Sequence, residues 1–119
     1  MLTKVNPSPQ SFYVVAPDKG EAMIPVVIDS PHSWGLWPDN VKTIASAEDL
    51  ATSWDAFVDE LWLNAVQSKA PLMAAKFHRA YLDVNRARDD IDPTLLAEKW
   101  PEPLYPTDKT QKGFGLIRK

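Results

Sequence analysis

Two apolar runs near the start of the chain predict β-strands. Residues 11–16 (SFYVVA) are rich in β-branched and aromatic side chains, and the turn-forming residues 17–20 (PDKG) follow them. Residues 23–28 (MIPVVI) are apolar without alternation, which is typical of a strand that helices cover on both faces. The pattern therefore predicts two strands, the second of them inside a sheet.

A longer segment, residues 46–69, has the periodicity of an amphipathic helix. Its apolar side chains recur at intervals of three and four, and they are Leu50, Trp54, Phe57, Val58, Leu61, Trp62 and Ala65. Ser46 provides a capping side chain, acidic residues follow it in the first turn, and Pro71 ends the segment. We therefore expect one continuous helix, with Asp55 and Asp59 four residues apart on one face.

The second half of the chain has a less regular pattern. Residues 72–85 favour an extended conformation, with residues 81–84 (YLDV) as the most strand-like part, although helix-forming side chains leave the first half of this segment open. Residues 92–96 (DPTLL) predict a short capped helix with proline at its first position. The chain after Trp100 is interpreted as loop, and residues 115–119 as the start of a further element.

Composition limits the class of protein. The chain has 119 residues, a formal net charge of -3 and no cysteine. This length suits one α/β domain, and the missing cysteine excludes disulfides and thiolate chemistry. The negative charge and the scattered basic residues argue against nucleic acid as a partner, and no apolar run approaches the ~18 residues that span a bilayer. Without a signal-peptide pattern at its start, the chain is expected in the cytoplasm.

The loop after the second predicted strand carries the first candidate site. Ligands bind beyond the carboxyl ends of strands in open α/β sheets, and His32 stands in such a loop. A neutral imidazole is a good zinc donor, and the alternative is a loop histidine bonded to nearby backbone. Asp29 and Ser30 would orient the imidazole or, equally well, cap the turn.

A carboxylate ligand is the next requirement. Zinc hydrolases of the carboxypeptidase type supply a glutamate three residues after their first histidine, but that position is Gly35 here. The carboxylate must therefore come from elsewhere, and Asp55, beside the apolar Trp54 and Phe57, is a better candidate than Asp59. The alternative is that both carboxylates form the solvated edge of an amphipathic helix.

Asn85 and Arg86 form a candidate carboxylate-binding pair. An amide beside a guanidinium holds a substrate carboxylate through forked hydrogen bonds. The alternative is a structural arginine that pairs with a neighbouring carboxylate. The carboxylates in question are Asp83, Asp89 and Asp90. His78 stands seven residues before Asn85, on the opposite face of a regular strand, and is left outside the site.

Several segments occur in an order that resembles a known family. They are residues 25–33 (PVVIDSPHS), 54–61 (WDAFVDEL), 81–86 (YLDVNR), 103–106 (PLYP) and 113–117 (GFGLI). In this order they are similar to segments of the N-formylglutamate amidohydrolases. The resemblance implies a fold of the zinc carboxypeptidase type, in which a mixed sheet lies between helices. It also implies hydrolysis of N-formyl-L-glutamate to formate and L-glutamate, a step in histidine degradation.

The resemblance assigns roles to individual residues. His32 and Asp55 match two ligands of a zinc ion, which would activate water for attack on the formyl carbonyl. Asn85 and Arg86 match the motif that binds the substrate carboxylate in this family and in the related aspartoacylases. The residues expected to support these groups are Asp29, Ser30 and Asp83.

The chain departs from the family in two respects. Trp34 stands where the family usually has a glycine directly after the His-Ser pair, and Gly35 follows one position later. Family members are also substantially longer, so the third metal ligand and the catalytic acid/base are expected beyond Lys119. Residues 1–119 are therefore expected to form a single α/β domain or the N-terminal portion of a longer amidohydrolase domain.

Two other functions remain open from the sequence. One is a truncated, non-catalytic module that binds carboxylates or another protein, and the other is a deacylase for a different N-acylated acidic amino acid. The partners expected for the enzyme are one zinc ion and a small N-acyl amino acid, with neither nucleic acid nor a membrane. An exposed part of the core would favour homo-oligomers.

Overall fold

The computed structural model describes residues 3–5 and 11–119. The chain divides into two compact units, Met1–His78 and Arg79–Lys119. The elements in chain order are strand β1 (Thr3–Val5), strand β2 (Phe12–Ala16), strand β3 (Ile28–Ser30), helix α1 (Ala47–Ala51), helix α2 (Val58–Gln67), strand β4 (Leu72–Ala75), a 3-10 helix (Pro93–Leu95) and helix α3 (Asp108–Gln111). In the described part of the chain, no helix is long and apolar enough to cross a membrane.

The strands of the first unit form one mixed sheet in the order β1-β2-β4-β3. Strand β2 is antiparallel to both β1 and β4, whereas β3 runs parallel to β4. Ile28 lies opposite Leu72, and Ser30 lies opposite Ala74. The sheet and the helices confirm the expected α/β class with a mixed sheet.

Strand β2 confirms the first predicted strand. Its buried side chains, Tyr13 and Val15, alternate with partly exposed ones, because successive side chains of a strand point to opposite faces. They join Val66 of α2 and Leu72 and Ala74 of β4 in the hydrophobic core of the first unit. The core therefore lies where β2 and β4 meet helix α2.

The second predicted strand is wrong in its extent and its position. Strand β3 begins only at Ile28, and Met23, Val26 and Val27 before it are 60%, 47% and 66% exposed. Pro25 has no amide proton, and the Val26 amide donates to the carbonyl oxygen of Ile24, so these residues do not extend the ladder. Among the described strands, β3 lies at an edge of the sheet and not inside it.

The predicted continuous helix is two helices. Helix α1 begins after Ser46, whose side chain caps it as expected, and Ser46 also forms a capping box with Asp49. Residues 52–57 then interrupt the helix, and α2 begins after Phe57. Phe57 has a φ of 63°, which is left-handed backbone that a right-handed helix does not accommodate. Asp55 therefore lies in the connection between α1 and α2 and not on a helix face.

The segment after Pro71 agrees with the expected extended conformation only in its first part. Its first part forms strand β4, whereas residues 81–84, the most strand-like by sequence, are not a strand. Leu72, Ala74 and Ala75 are buried against the core. Packing of small and apolar side chains has here outweighed the intrinsic helix preference of the segment.

The second unit consists of loops with two short helices. Asp92 caps the 3-10 helix by accepting the Thr94 amide proton, and Pro93 occupies its first position, as predicted. Helix α3 lies in a segment that was expected to be loop. Residues 115–119 contain no regular element, although Phe114 and Arg118 form an isolated antiparallel bridge.

A buried carboxylate organises this second unit. Asp90 is 2% exposed, and its oxygens accept the Thr107 amide proton at 2.7 Å, the Thr107 hydroxyl at 3.0 Å and the Thr110 hydroxyl. Its carbonyl oxygen accepts the Leu116 amide proton at 2.9 Å. A Cβ on Gly115 would lie 2.7 Å from the Thr110 hydroxyl oxygen. Asp90 thus joins the start of α3 to the C-terminal residues.

Candidate active site

The loop after β3 carries His32, as predicted. His32 lies two residues beyond the end of β3 and is 7% exposed. The hydroxyls of Ser30 and Ser33 share a hydrogen bond, and the Ser33 hydroxyl also accepts the Asp59 amide proton at 3.1 Å. Because Phe57 provides no side-chain cap for α2, Ser33 caps this helix from a distant part of the chain.

His32 and Asp55 meet in the first unit. Nδ1 of His32 lies 3.3 Å from Oδ2 of Asp55, and the Asp55 amide donates to the His32 carbonyl oxygen at 3.1 Å. The imidazole is buried, whereas the Asp55 side chain is 50% exposed. The carboxylate end of the pair is therefore open to solvent.

Trp54 and Gly35 form a tight contact beside this pair. The Trp54 indole donates to the Ser33 carbonyl oxygen at 2.6 Å. A Cβ on Gly35 would lie 2.7 Å from both Cε2 and Cζ2 of the indole. The sequence prediction included neither residue nor Ser33 in the site. One sequence feature could have drawn attention to this contact: Gly35 stands at the position where a carboxypeptidase-type motif has a glutamate.

Trp34, which departs from the family pattern, lies in the same loop. Its ring packs against the hydrophobic core of the first unit, and the Lys76 ammonium lies 5.9 Å from the ring centroid. Trp34 is therefore partly buried and in cation-π range of a neighbouring lysine.

Asp59 differs from Asp55 in its surroundings. Its carboxylate accepts the Tyr13 hydroxyl. Burial, this hydrogen bond and the nearby negative charge raise the pKa of Tyr13 above its ordinary value. Asp59 thus connects α2 to β2, and the structure brings Asp55 and not Asp59 to His32.

The two residues expected to orient His32 lie on β3. Asp29 is exposed and stands opposite Met73 of β4, which is also exposed. Ser30 is buried, and its hydroxyl binds Ser33. Ser30 therefore supports the loop that carries His32, whereas Asp29 lies on the exposed face of the sheet.

In the second unit, Asp83 fixes the backbone at Asn85 and Arg86. Asp83 is fully buried, and its carboxylate accepts hydrogen bonds from the Arg79 guanidinium at 2.8 Å and from the backbone amide of Asn85 at 3.0 Å. Its carbonyl oxygen accepts the Arg86 amide proton at 3.0 Å. The structure thus brings Asp83, Asn85 and Arg86 together in one turn.

The Arg86 guanidinium is held by backbone oxygens. Nε donates to Phe114 at 2.9 Å, and Nη1 donates to Asn85 at 2.8 Å. Arg86 forms no ion pair with a carboxylate among the described residues, and its Nη2 has no partner there. Asn85 and Arg86 line an open depression of about 610 Å³, together with Thr107, Asp108 and Lys109.

The residues 3–5 and 11–119 contain no cluster of three or more metal-ligating side chains. His32 and Asp55 provide one imidazole nitrogen and one carboxylate oxygen. A catalytic zinc site needs three protein ligands. The pair therefore supplies part of a ligand set.

Comparison with known proteins identifies the family. The family model for N-formylglutamate amidohydrolase matches residues 24–119. The chain is also similar to the crystal structure of N-formylglutamate amidohydrolase from Ralstonia eutropha JMP134, with 42% identity and a TM-score of 0.85. The match covers 92% of this chain but only 38% of that one. A search of curated proteins gives no significant match. The family model and the structural match together place this chain in the N-formylglutamate amidohydrolase family.

Proposed function

We propose that the chain is part of a zinc-dependent hydrolase that cleaves N-formyl-L-glutamate to formate and L-glutamate. The observation that carries this proposal is the 3.3 Å separation between Nδ1 of His32 and Oδ2 of Asp55 beyond the end of a parallel strand. The family and the similarity to the Ralstonia eutropha amidohydrolase support the reaction class.

The donor atoms of His32 and Asp55 fit a zinc ion. Ligand atoms at about 2.0 to 2.2 Å from a tetrahedral zinc ion lie roughly 3.3 to 3.5 Å from each other. The observed 3.3 Å, which is also the length of a direct hydrogen bond between the two groups, agrees with this spacing. A bound zinc ion would polarise the formyl carbonyl as a Lewis acid. The third ligand and the catalytic acid/base are proposed to lie beyond Lys119.

Asn85 and Arg86 are proposed to bind the substrate carboxylate. Two backbone carbonyls fix the plane of the guanidinium, and Nη2 remains for a ligand. The Asn85 side chain borders the same depression. Asp83 holds the backbone of both residues, so these donors need little reorganisation when a carboxylate binds. Asp83 therefore supports binding without contact to the substrate.

We also propose that the chain is the N-terminal portion of a longer domain with the zinc carboxypeptidase type of fold. The limited share of the Ralstonia eutropha structure that it covers supports this view. The whole enzyme would act in cytoplasmic histidine degradation. Exposed apolar side chains such as Val27 and Leu61 favour association into a homo-oligomer.

A non-catalytic module that binds carboxylates is the second candidate. It is favoured by one observation, that no group of three metal-ligating side chains lies together among the described residues. In this case the Arg86 depression would bind carboxylates without hydrolysis of an amide. Deacylation of another N-acyl acidic amino acid is a variant of the enzymatic proposal.

Zinc titration and formate release separate these functions. We expect the wild-type chain to bind zinc and His32→Ala to lose that binding, because the imidazole is one of two donors. Equal zinc binding by both proteins would contradict the metal assignment. Formate release from N-formyl-L-glutamate, measured on a longer protein that contains the proposed third ligand and acid/base, would establish the enzyme. L-Glutamate binding without zinc binding or formate release by that protein would favour the non-catalytic module. A panel of N-acyl glutamates and aspartates then tests which acyl group is cleaved.

A further inference from the structure

We propose that Trp54 is a positioning residue that holds Asp55 against His32, and that Gly35 is needed to admit the Trp54 ring. This inference rests on the proposed role of His32 and Asp55 as metal ligands. Trp54 would touch neither the metal nor the substrate. It would act through the residue that follows it.

Asp55 lies in the connection between α1 and α2, so no helical hydrogen bond holds its backbone. Its side chain is 50% exposed. A half-exposed carboxylate would sample many conformations if the backbone that carries it were not held, and their restriction on metal binding would then cost free energy.

Two neighbouring hydrogen bonds restrict this segment. The Trp54 indole donates to the Ser33 carbonyl oxygen at 2.6 Å, and the Asp55 amide donates to the His32 carbonyl oxygen at 3.1 Å. Two consecutive residues of the connection are thus bound to two consecutive residues of the His32 loop. The side-chain bond of Trp54 therefore supports the backbone bond of Asp55.

The acceptor of the indole is itself held in place. The Ser33 hydroxyl binds the Ser30 hydroxyl at the end of β3 and accepts the Asp59 amide proton in the first turn of α2. Ser33 is 8% exposed. A buried residue with contacts to both a strand and a helix offers the Trp54 indole a fixed partner.

Gly35 provides the space for the ring. A Cβ at this position would lie 2.7 Å from two indole carbons and 3.0 Å from a third, closer than side chains normally approach. The ring also contacts Phe57, with 6.1 Å between the centroids. An added methyl group at position 35 would therefore push the indole away from Ser33.

The first test compares Trp54→Phe with Trp62→Phe, a matched control because Trp62 is 48% exposed on α2. We measure hydrogen exchange of the Asp55 amide by NMR and the dissociation constant for Zn²⁺. Loss of the indole donor should accelerate the exchange and weaken Zn²⁺ binding by about fivefold each, the effect of one ordinary hydrogen bond. Trp62→Phe should leave both quantities unchanged.

Gly35→Ala provides an independent variant, because the indole donor is kept but its ring is displaced. This substitution alone should reproduce both effects. In the Trp54→Phe background, where the indole is already absent, the same substitution should have a smaller effect. If the Asp55 amide exchanged at the wild-type rate in both Trp54→Phe and Gly35→Ala, the inference would be overturned. If His32→Ala bound Zn²⁺ as tightly as the wild-type chain, the proposed function would fail, but the exchange measurement, which needs no Zn²⁺, would still decide whether Trp54 holds Asp55.

Discussion

Nδ1 of His32 lies 3.3 Å from Oδ2 of Asp55, although the two residues are 23 positions apart in the chain. His32 stands in the loop after β3, and Asp55 lies between α1 and α2. No regular element holds both residues. Their distance is set by contacts between a loop and a helix connection, so changes in either segment should alter the affinity for the metal ion that we propose here.

Asp55→Asn tests the carboxylate directly. The amide keeps the size of the side chain but removes the negative charge that would favour a bound cation. We expect the Zn²⁺ affinity to fall by at least about tenfold, since even residues that only orient a metal ligand contribute that much. Titration calorimetry measures the change. Asp39→Asn, at an exposed position, is the control, and equal affinities of the two variants would contradict the assignment.

Arg86→Ala tests the carboxylate-binding depression. We expect the NMR shift changes that L-glutamate causes at Asn85 to disappear, while Zn²⁺ binding in the first unit is unchanged. In a complete enzyme the same change should raise KM more than it lowers kcat, because it removes binding that substrate and transition state share.

Arg88→Ala is the matched control for this measurement. The Arg88 side chain is 82% exposed and pairs with Glu102 on the surface. If Arg88→Ala abolished the response to L-glutamate and Arg86→Ala preserved it, the proposed carboxylate site would be wrong.

Lys69→Gly tests a strained position at the end of α2. Lys69 has a φ of 70°, a conformation that glycine adopts without steric cost. Its amide donates to Val66, and the Ala70 amide donates to Ala65, which together close the helix. We expect the free energy of unfolding to rise by about 0.5 to 1 kcal/mol in denaturant titrations.

A glycine at the last residue of the same helix should have the opposite effect. Gln67→Gly adds backbone freedom at a residue with helical conformation. We expect the free energy of unfolding to fall by about 0.5 to 1 kcal/mol. Destabilisation by both substitutions would show that the left-handed conformation of Lys69 carries no strain.

Asp90→Asn tests the buried carboxylate of the second unit through pH. Burial alone would raise the pKa of Asp90, but hydrogen bonds from Thr110 and Thr107 and the charge of Arg86 lower it below the ordinary 3.8. A lowered native pKa stabilises the fold above the unfolded value, and this stability is lost as pH falls through the native pKa. The asparagine variant should therefore be less stable at pH 7 and lose less stability upon acidification.

Thermal unfolding between pH 7 and pH 2 measures this difference. Glu98→Gln is a suitable control, because Glu98 is exposed and forms no ion pair with a described residue. An acid transition in Asp90→Asn as steep as that of the parent protein would argue against the stabilising role of Asp90.

Local patterns predicted those elements whose determinants lie within a few residues. Strand β2 follows from alternating burial, and the caps at Ser46 and Asp92 follow from side chains that bind amides two or three positions away. The break between α1 and α2 was not predictable in this way. Residues 52–57 contain neither glycine nor proline, and their apolar positions continue the helical period.

The interruption depends on distant contacts. Trp54 binds Ser33 and Asp55 binds His32, each across more than twenty residues. The candidate site has the same limit. The position of His32 after a strand and the search for a carboxylate ligand made His32 and Asp55 candidates, and the family resemblance then matched them to metal ligands, but the contacts of Ser33, Gly35 and Trp54 depend on the folded chain. The exposed residues 23–27 were mistaken for a buried strand because apolar composition alone does not report burial.

Gly35 also has a consequence for protein engineering. A designer who wished to restore the carboxypeptidase-type ligand spacing would introduce Glu at this position, three residues after His32. The Cβ of that glutamate would already collide with the Trp54 indole before its carboxylate reached any metal. In this fold, a ligand gained at position 35 would displace the indole that we propose to hold Asp55 in place.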